Sequence, residues 1–241
     1  MTAWEGSGCP SVSPVSGQLK IVIGQVRLAY RVSGDPDAPP MLLLHALGEE
    51  GETWEPVAAE LAGTFRLYMP DLRGHGRSDW PGSYSFELMR DDILGFLDAL
   101  RIGRISVVGH SMGGTVAYLL AEAQPERIER LILEDTPPPF PRDRAIPERP
   151  PGPLPFDWQV VPTIGRQLND PDPAWWERLS EITARTLIVG GGPASPIPQD
   201  KLANAASRIP DSKFITIPVG HAVHEARPAE FAAAVLDFAR R

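Results

Sequence analysis

Short apolar runs alternate with longer stretches of helical periodicity along most of this chain, and that alternation restricts the fold more than any other feature. LKIVIGQVRLAYRVSG (19–34) has the pattern of a hairpin turning near Gly24. MLLLH (41–45) is a continuous apolar run, as expected of a parallel strand buried on both faces. TWEPVAAELA (53–62) follows as a helix and FRLYMPD as the next strand. In SFELMRDDILGFLDALRI, Phe86, Met89, Ile93, Phe96, Leu97 and Leu100 recur every three or four positions, which places them on one helical face. RISVVGH, MGGTVAYLLAEAQP and RLILEDT continue as strand, helix and strand. TLIVGGG, KLANAASRI, KFITIP and a last helix from Pro228 to about Phe238 complete the series. Strand–helix alternation predicts an α/β fold: a mostly parallel central sheet with helices on both faces and ligands at the carboxyl ends of its strands.

Two segments break the alternation. Residues 1–17 include GSGCPSVSPVSG and are expected to form a flexible arm. Residues 137–182 hold twelve of the 27 prolines, crowded toward the beginning, and are expected to form a short insertion capping the sheet. The core is then 18–136 together with 183–241.

The 241 residues carry 23 Lys+Arg against 31 Asp+Glu, a net charge of −8, so the long-range field repels phosphates. Nucleic acid and anionic membrane are therefore poor partners, and a small molecule is the expected one. The single cysteine, Cys9, excludes an intrachain disulfide. No apolar run approaches membrane-spanning length, and no basic start with an apolar core follows Met1, so a cytoplasmic location is expected.

Chemistry enters at Gly109-His110-Ser111-Met112-Gly113, a G-x-S-x-G between the strand ISVV and the helix TVAYLLAEA. A Ser on such a sharp turn is exposed above the sheet, and small residues two before and two after it remove the clashes the turn would otherwise create. A capping Ser in a Gly-rich turn is the bland alternative. LLLHALG, PDLRGHGRSDWP, GHSMGG and PVGHAVHEARP, in this order, give the chain a sequence that resembles the α/β-hydrolase family from about residue 18 to the C-terminus. The family's usual His-Gly after the third strand is His45-Ala46 here, and the insertion is shorter and richer in Pro than most caps of the family.

A serine hydroxyl needs a base, and the base needs an orienting acid. Of the five histidines, His221 follows the last strand and matches the family's base; His224 is the alternative, and replacing it is expected to be mild. The acid is less plain. Ser195 stands where most of the family has an Asp, while some relatives place the acid at the end of the preceding strand, which here ends Glu134-Asp135. Alternation along that strand makes the two carboxylates diverge, so one of them can meet the base. Asp135 is the choice, with Glu134 and Asp200 as alternatives. The resemblance implies oxyanion donors at the backbone of Met112 and Leu47, with Ala46 the neighbouring possibility.

Arg73, Asp79 and Trp80 belong to a turn-rich loop that suits a rigid wall. His45, His75 and His110 suit loop bracing, and no carboxylate or Cys stands at metal-ligand spacing among them, so neither metal nor cofactor is expected. His45 and His110 also lie near the expected cleft and join Phe140, Trp158 and Trp175 as candidates for its lining. Phe156 and Trp176 add to the insertion's aromatic load, which suits either an apolar substrate or packing of the insertion onto the sheet. The expected function is a serine hydrolase cleaving an ester-like bond of a small, largely apolar substrate. The Ser argues against the family's haloalkane dehalogenases and epoxide hydrolases, which attack with Asp. Carbon–carbon hydrolase and cofactor-free perhydrolase activity remain open, as does a ligand-binding protein with negligible turnover.

Overall fold

Met41 and Leu43 point to one side of their strand and Leu42 and Leu44 to the other, and all four are fully buried, in separate hydrophobic clusters. This two-sided burial is why the run reads as continuously apolar, and it sets the strand at the centre of a sheet covered on both faces. The computed structural model describes residues 18–240, so the expected arm, 1–17, lies outside the described residues.

The strands are β1 (Leu19–Ile23), β2 (Val26–Ser33), β3 (Pro40–Leu44), β4 (Arg66–Pro70), β5 (Ile105–His110), β6 (Ile128–Glu134), β7 (Arg185–Gly190) and β8 (Ser212–Thr216). They form one eight-stranded sheet in the order β1-β2-β4-β3-β5-β6-β7-β8. β2 is antiparallel to both of its neighbours, and the remaining pairs are parallel. The order reverses around β3 and β5, a topological switch of the kind that opens a crevice at the strands' carboxyl edge.

The helices are α1 (Glu55–Leu61), α2 (Phe86–Ala99), α3 (Met112–Ala123), α4 (Val160–Asn169), α5 (Ala174–Glu177), α6 (Gln199–Arg208), α7 (Val223–Ala226) and α8 (Pro228–Arg240). In α2 the Ser85 hydroxyl caps the first turn by accepting from the Leu88 N–H at 3.1 Å. Phe86, Met89, Ile93, Phe96 and Leu97 are buried as their spacing predicts, whereas Leu100 closes the helix and is half-buried. Together with α3 this face packs one side of the sheet; α1 and α8 cover the other through Val57, Leu61, Phe231 and Val235. No helix among the described residues is long and apolar enough to cross a membrane.

The loop after β4 is a wall, as expected of its Arg73 and Asp79. The Arg73 guanidinium grips Asp92 of α2 through two hydrogen bonds of 2.5 and 2.6 Å in a buried pair, and Asp79 pairs with Arg27. Trp80 of the same loop is 47% exposed. From Thr136 to Asp157 the chain between β6 and β7 runs without helix, its prolines withholding the N–H groups a ladder needs. It is anchored by a bridge between His75 and Phe156 and by the Tyr84 hydroxyl, which donates to Asp157 Oδ2 at 2.6 Å. The Trp176 indole N–H donates to the Pro139 carbonyl at 2.7 Å, tying the first half of this segment to α5.

Candidate active site

The β5–α3 turn carries Ser111 at φ 51°, ψ −113°, a conformation few non-glycine residues adopt. Its neighbours explain how the turn fits. A Cβ on Gly109 would lie 2.5 Å from the Gly113 carbonyl oxygen, and one on Gly113 would lie 2.3 Å from the Leu44 carbonyl oxygen. Glycine alone permits that approach. Ser111 thus stands at the N-terminus of α3, where the helix dipole favours developing negative charge.

Glu134 and Asp135 part company at the end of β6. Asp135 adopts φ 46°, and its wholly buried carboxylate meets four donors. Oδ1 accepts from the Gly191 N–H at 2.8 Å and from the Gln199 amide at 3.1 Å. Oδ2 accepts from the Ser195 hydroxyl and faces His221 Nδ1 at 2.7 Å. Burial would raise this carboxyl, but the bonds from His221, Ser195, Gly191 and Gln199 outweigh it and hold it below the usual carboxylate range. Ser195, which stands where most of the family has the acid, therefore contributes a hydroxyl to the acid supplied by the neighbouring strand.

Glu134 makes a second, parallel pair. Its oxygens lie 2.9 and 3.0 Å from His224 Nδ1, and Oε1 also accepts the His224 N–H at 2.9 Å. Both side chains are fully buried, and the His224 ring stacks on Trp54 at 4.1 Å. His224 is therefore no spare loop residue; the expectation that replacing it is mild concerns turnover, whereas its buried pairing with Glu134 bears on stability. His224→Ala removes the buried Nδ1 partner of Glu134 and the ring stacked on Trp54, and is expected to cost about 3–5 kcal/mol of stability. A urea midpoint for the variant close to the parent's would overturn that.

His110 links the two pairs. Its Nε2 lies 3.0 Å from the His221 carbonyl oxygen, and its ring packs 4.6 Å from His221 and 5.0 Å from His224. Its Nδ1 lies 3.8 Å from Glu49 Oε2. Burial pulls the imidazole pKa down, yet Glu134 and Glu49 outweigh it and leave it above the ordinary value. Burial likewise raises Glu49, but His110 and the Ala46 N–H bring that carboxyl to about 2. Glu49, His110 and His224 bring ligand atoms within 4.8 Å of one another and are the one group among the described residues with the composition to hold a metal ion. Sequence reasoning missed Glu49, Gln199 and the Glu134–His224 pair, because nothing in the local pattern around them signals a partner about 60 to 90 residues away.

Ser111, Asp135 and His221 open onto one cleft with an empty volume of about 550 Å³, together with Leu47, Met112, Phe140 and Arg142. Four expected lining residues are elsewhere. His45 is fully buried, accepts the Leu72 N–H at Nε2 (2.9 Å) and is pushed down to about 4 by burial, so it braces the loop as a neutral ring. His110 is buried beneath His221. Trp175 packs edge-on against Phe86, centroids 5.8 Å apart, inside the core. Trp158 lies beside Phe156, away from the cleft. Composition does not separate an aromatic that lines a cleft from one that packs an insertion down. Of the alternative acids, Asp200 is exposed in the first turn of α6. The Ala46 N–H is taken by Glu49 Oε2 at 3.1 Å, which leaves Leu47 as the loop's cleft-facing candidate donor.

Comparison with known proteins gives a consistent picture. A family model described as alpha/beta hydrolase fold matches residues 39–158. An uncharacterized protein of Mycobacterium tuberculosis is 41% identical over 123 residues, 51% of this chain and 35% of that one. Epoxide hydrolase 4 of Mus musculus is 36% identical over 124 residues, 50% of this chain and 34% of that one. The match thus spans about a third of the length of these relatives. A thermophilic esterase from Thermogutta terrifontis superposes with a TM-score of 0.78 at 25% identity, covering 93% of this chain and 98% of that one.

Proposed function

From the premise that this chain belongs to the α/β-hydrolase fold family, we propose that it is a serine hydrolase cleaving an ester-like bond of a small, largely apolar substrate through an acyl-enzyme on Ser111. One observation carries the reading: the Asp135–His221 pair, at 2.7 Å, shares a cleft with a serine held at a strained strand-to-helix turn. Asp135 holds the Nδ1–H of His221, leaving the Nε2 lone pair free to take the Ser111 proton as the hydroxyl oxygen attacks the carbonyl carbon. The oxyanion of the tetrahedral intermediate accepts from the Met112 and Leu47 N–H groups. Its collapse breaks the bond to the leaving alcohol, which takes the proton back from His221. Water then repeats the sequence on the acyl-enzyme, with His221 again receiving and returning one proton. Ser111 and His221 handle every proton and electron pair, so the cycle needs no cofactor. Residues 137–182 act as the cap, supplying Phe140 as an apolar wall.

The epoxide hydrolase relatives suggest a different chemistry, but the resemblance to the family implies an attacking Asp for that branch, and the G-x-S-x-G turn here carries Ser111. A binding protein with negligible turnover is the reading of another class; it draws on Ser195 in the family's acid position and is opposed by the four-donor site around Asp135. A fluorophosphonate probe is expected to label the protein rapidly, one equivalent per chain and at Ser111, with hydrolysis of p-nitrophenyl esters of at least one chain length. Absence of both labelling and hydrolysis would leave the binding protein standing.

A further inference from the structure

Away from Ser111, His221 and Asp135 the cleft is largely apolar, lined by Leu47, Met112, Phe140, Ile164, Leu168 and Ile197, yet Arg142 also lines it. Arg142 is half-buried, its Nε is buried with no partner, and no carboxylate of the described residues lies within ion-pair distance of it. That is anomalous in a chain of net charge −8. Arg73 has Asp92, Arg31 has Glu52 and Glu55, and Arg127 has Asp98, while the partly buried Arg66 donates to the Gly34 carbonyl; among the described residues the Arg142 guanidinium has neither an acid nor a carbonyl. The one carboxylate in the cleft wall, Asp135, is already committed to four donors.

We infer that Arg142 is a specificity-determining residue that receives a carboxylate carried by the substrate, so that the preferred substrate is an apolar ester bearing a free carboxylate away from the scissile bond. The inference rests on the serine-hydrolase reading of the same cleft and narrows its substrate class. A half-buried guanidinium whose Nε lies out of water with no partner gains from an anion beside it, and a carboxylate matches the guanidinium fork with two parallel hydrogen bonds. The residue is held in place on both sides. Its N–H donates to the Asn169 carbonyl at 3.1 Å, at the end of α4, and its guanidinium carbon lies 5.9 Å from the Phe140 ring centre. A second, contiguous hollow shares Leu47, Arg142 and Leu168 with the cleft and is also lined by Arg144. Arg142 thus borders both hollows, with Arg144 beside the second. Burial and then the repulsion from Arg144 weaken the proton affinity of Arg142, a tension that a bound anion relieves.

The test separates binding from turnover. In the Ser111→Ala protein, calorimetric titration with monophenyl glutarate is compared with phenyl pentanoate, which has the same ester and no carboxylate. The half-ester is expected to bind at least about tenfold more tightly, in keeping with a charge-assisted hydrogen bond in a poorly hydrated site. Arg142→Gln on the same background is expected to abolish that preference, and Arg142→Lys to retain part of it, because an ammonium keeps the charge without the fork. Arg142→Gln should melt no lower than its parent, since no internal ion pair is lost; a melting loss with an unchanged preference would mark Arg142 as structural. Equal affinity for the two esters, or a preference that survives Arg142→Gln, overturns the inference. Neither result depends on catalysis. Fluorophosphonate labelling of the unmodified protein reports separately on Ser111, so a failed serine reading and a failed carboxylate site give different patterns.

Discussion

Replacing Ser111 by Ala is expected to lower ester turnover by on the order of 10^6-fold while leaving the melting temperature within a few degrees of the parent's. Both halves follow from the turn. The hydroxyl opens onto the cleft and caps no N–H of α3, so removing it deletes the nucleophile without creating a core cavity. Alanine is as strained as serine at φ 51°, so the backbone neither gains nor loses. Ser111→Gly completes the argument: it relieves the strain and is expected to stabilise the fold by about 1 kcal/mol while being equally inactive. Residual turnover in Ser111→Ala near the parent's would move the chemistry to another residue, and a stability loss in Ser111→Gly would mean that the turn stores no strain.

The fold was legible because its signals are local and redundant. Residues 41–44 and 105–108 are mostly apolar and buried on both faces, so they fit the middle of a covered sheet. Ser85 and Pro228 mark helix starts that the periodicity also marks. Ser111 and His221 were legible for a related reason, since a strand-to-helix turn and a loop after the last strand constrain where a side chain ends up. Asp135 was separable from Glu134 only in part. Alternation says that the two diverge, but the left-handed turn at Asp135 decides which of them reaches His221, and a φ of 46° on an Asp leaves no trace in a strand pattern. The lining was the least legible. Trp175 and Phe140 come from the same Pro-rich insertion, and whether a ring meets the cleft or the core depends on the path of a segment without periodicity. Arg142 escaped notice for the same reason: its missing counter-ion is a property of three-dimensional neighbours.

Asp135→Asn is expected to reduce the rate about 10^3- to 10^4-fold with the fold retained, because the effect lies in which ring nitrogen of His221 carries the proton. The amide is isosteric, and its oxygen still accepts from the Gly191 N–H and the Gln199 amide. Its NH2 group takes the place of Oδ2, where the carboxylate accepts from both Ser195 and His221. A donor there turns His221 Nδ1 into an acceptor, so the proton moves to Nε2, and the nitrogen facing the cleft loses the lone pair that Ser111 needs. The imidazolium formed during attack also loses its counter-charge. Ser195→Ala is the graded companion: it removes one of four donors, leaves the carboxylate on His221, and is expected to cost roughly tenfold. Since the Asp135 carboxyl is held below its ordinary pKa, the stability it contributes is present above the unfolded-state value and fades as pH falls through the native one. Asp135→Asn should therefore flatten the acid side of the stability profile while its circular dichroism stays that of the parent. If Asp135→Asn keeps more than a tenth of the parental rate, the four bonds to Asp135 serve only to fasten β6 to β7. If Ser195→Ala is as damaging as Asp135→Asn, the proton on His221 is governed by the hydroxyl and not by the carboxylate.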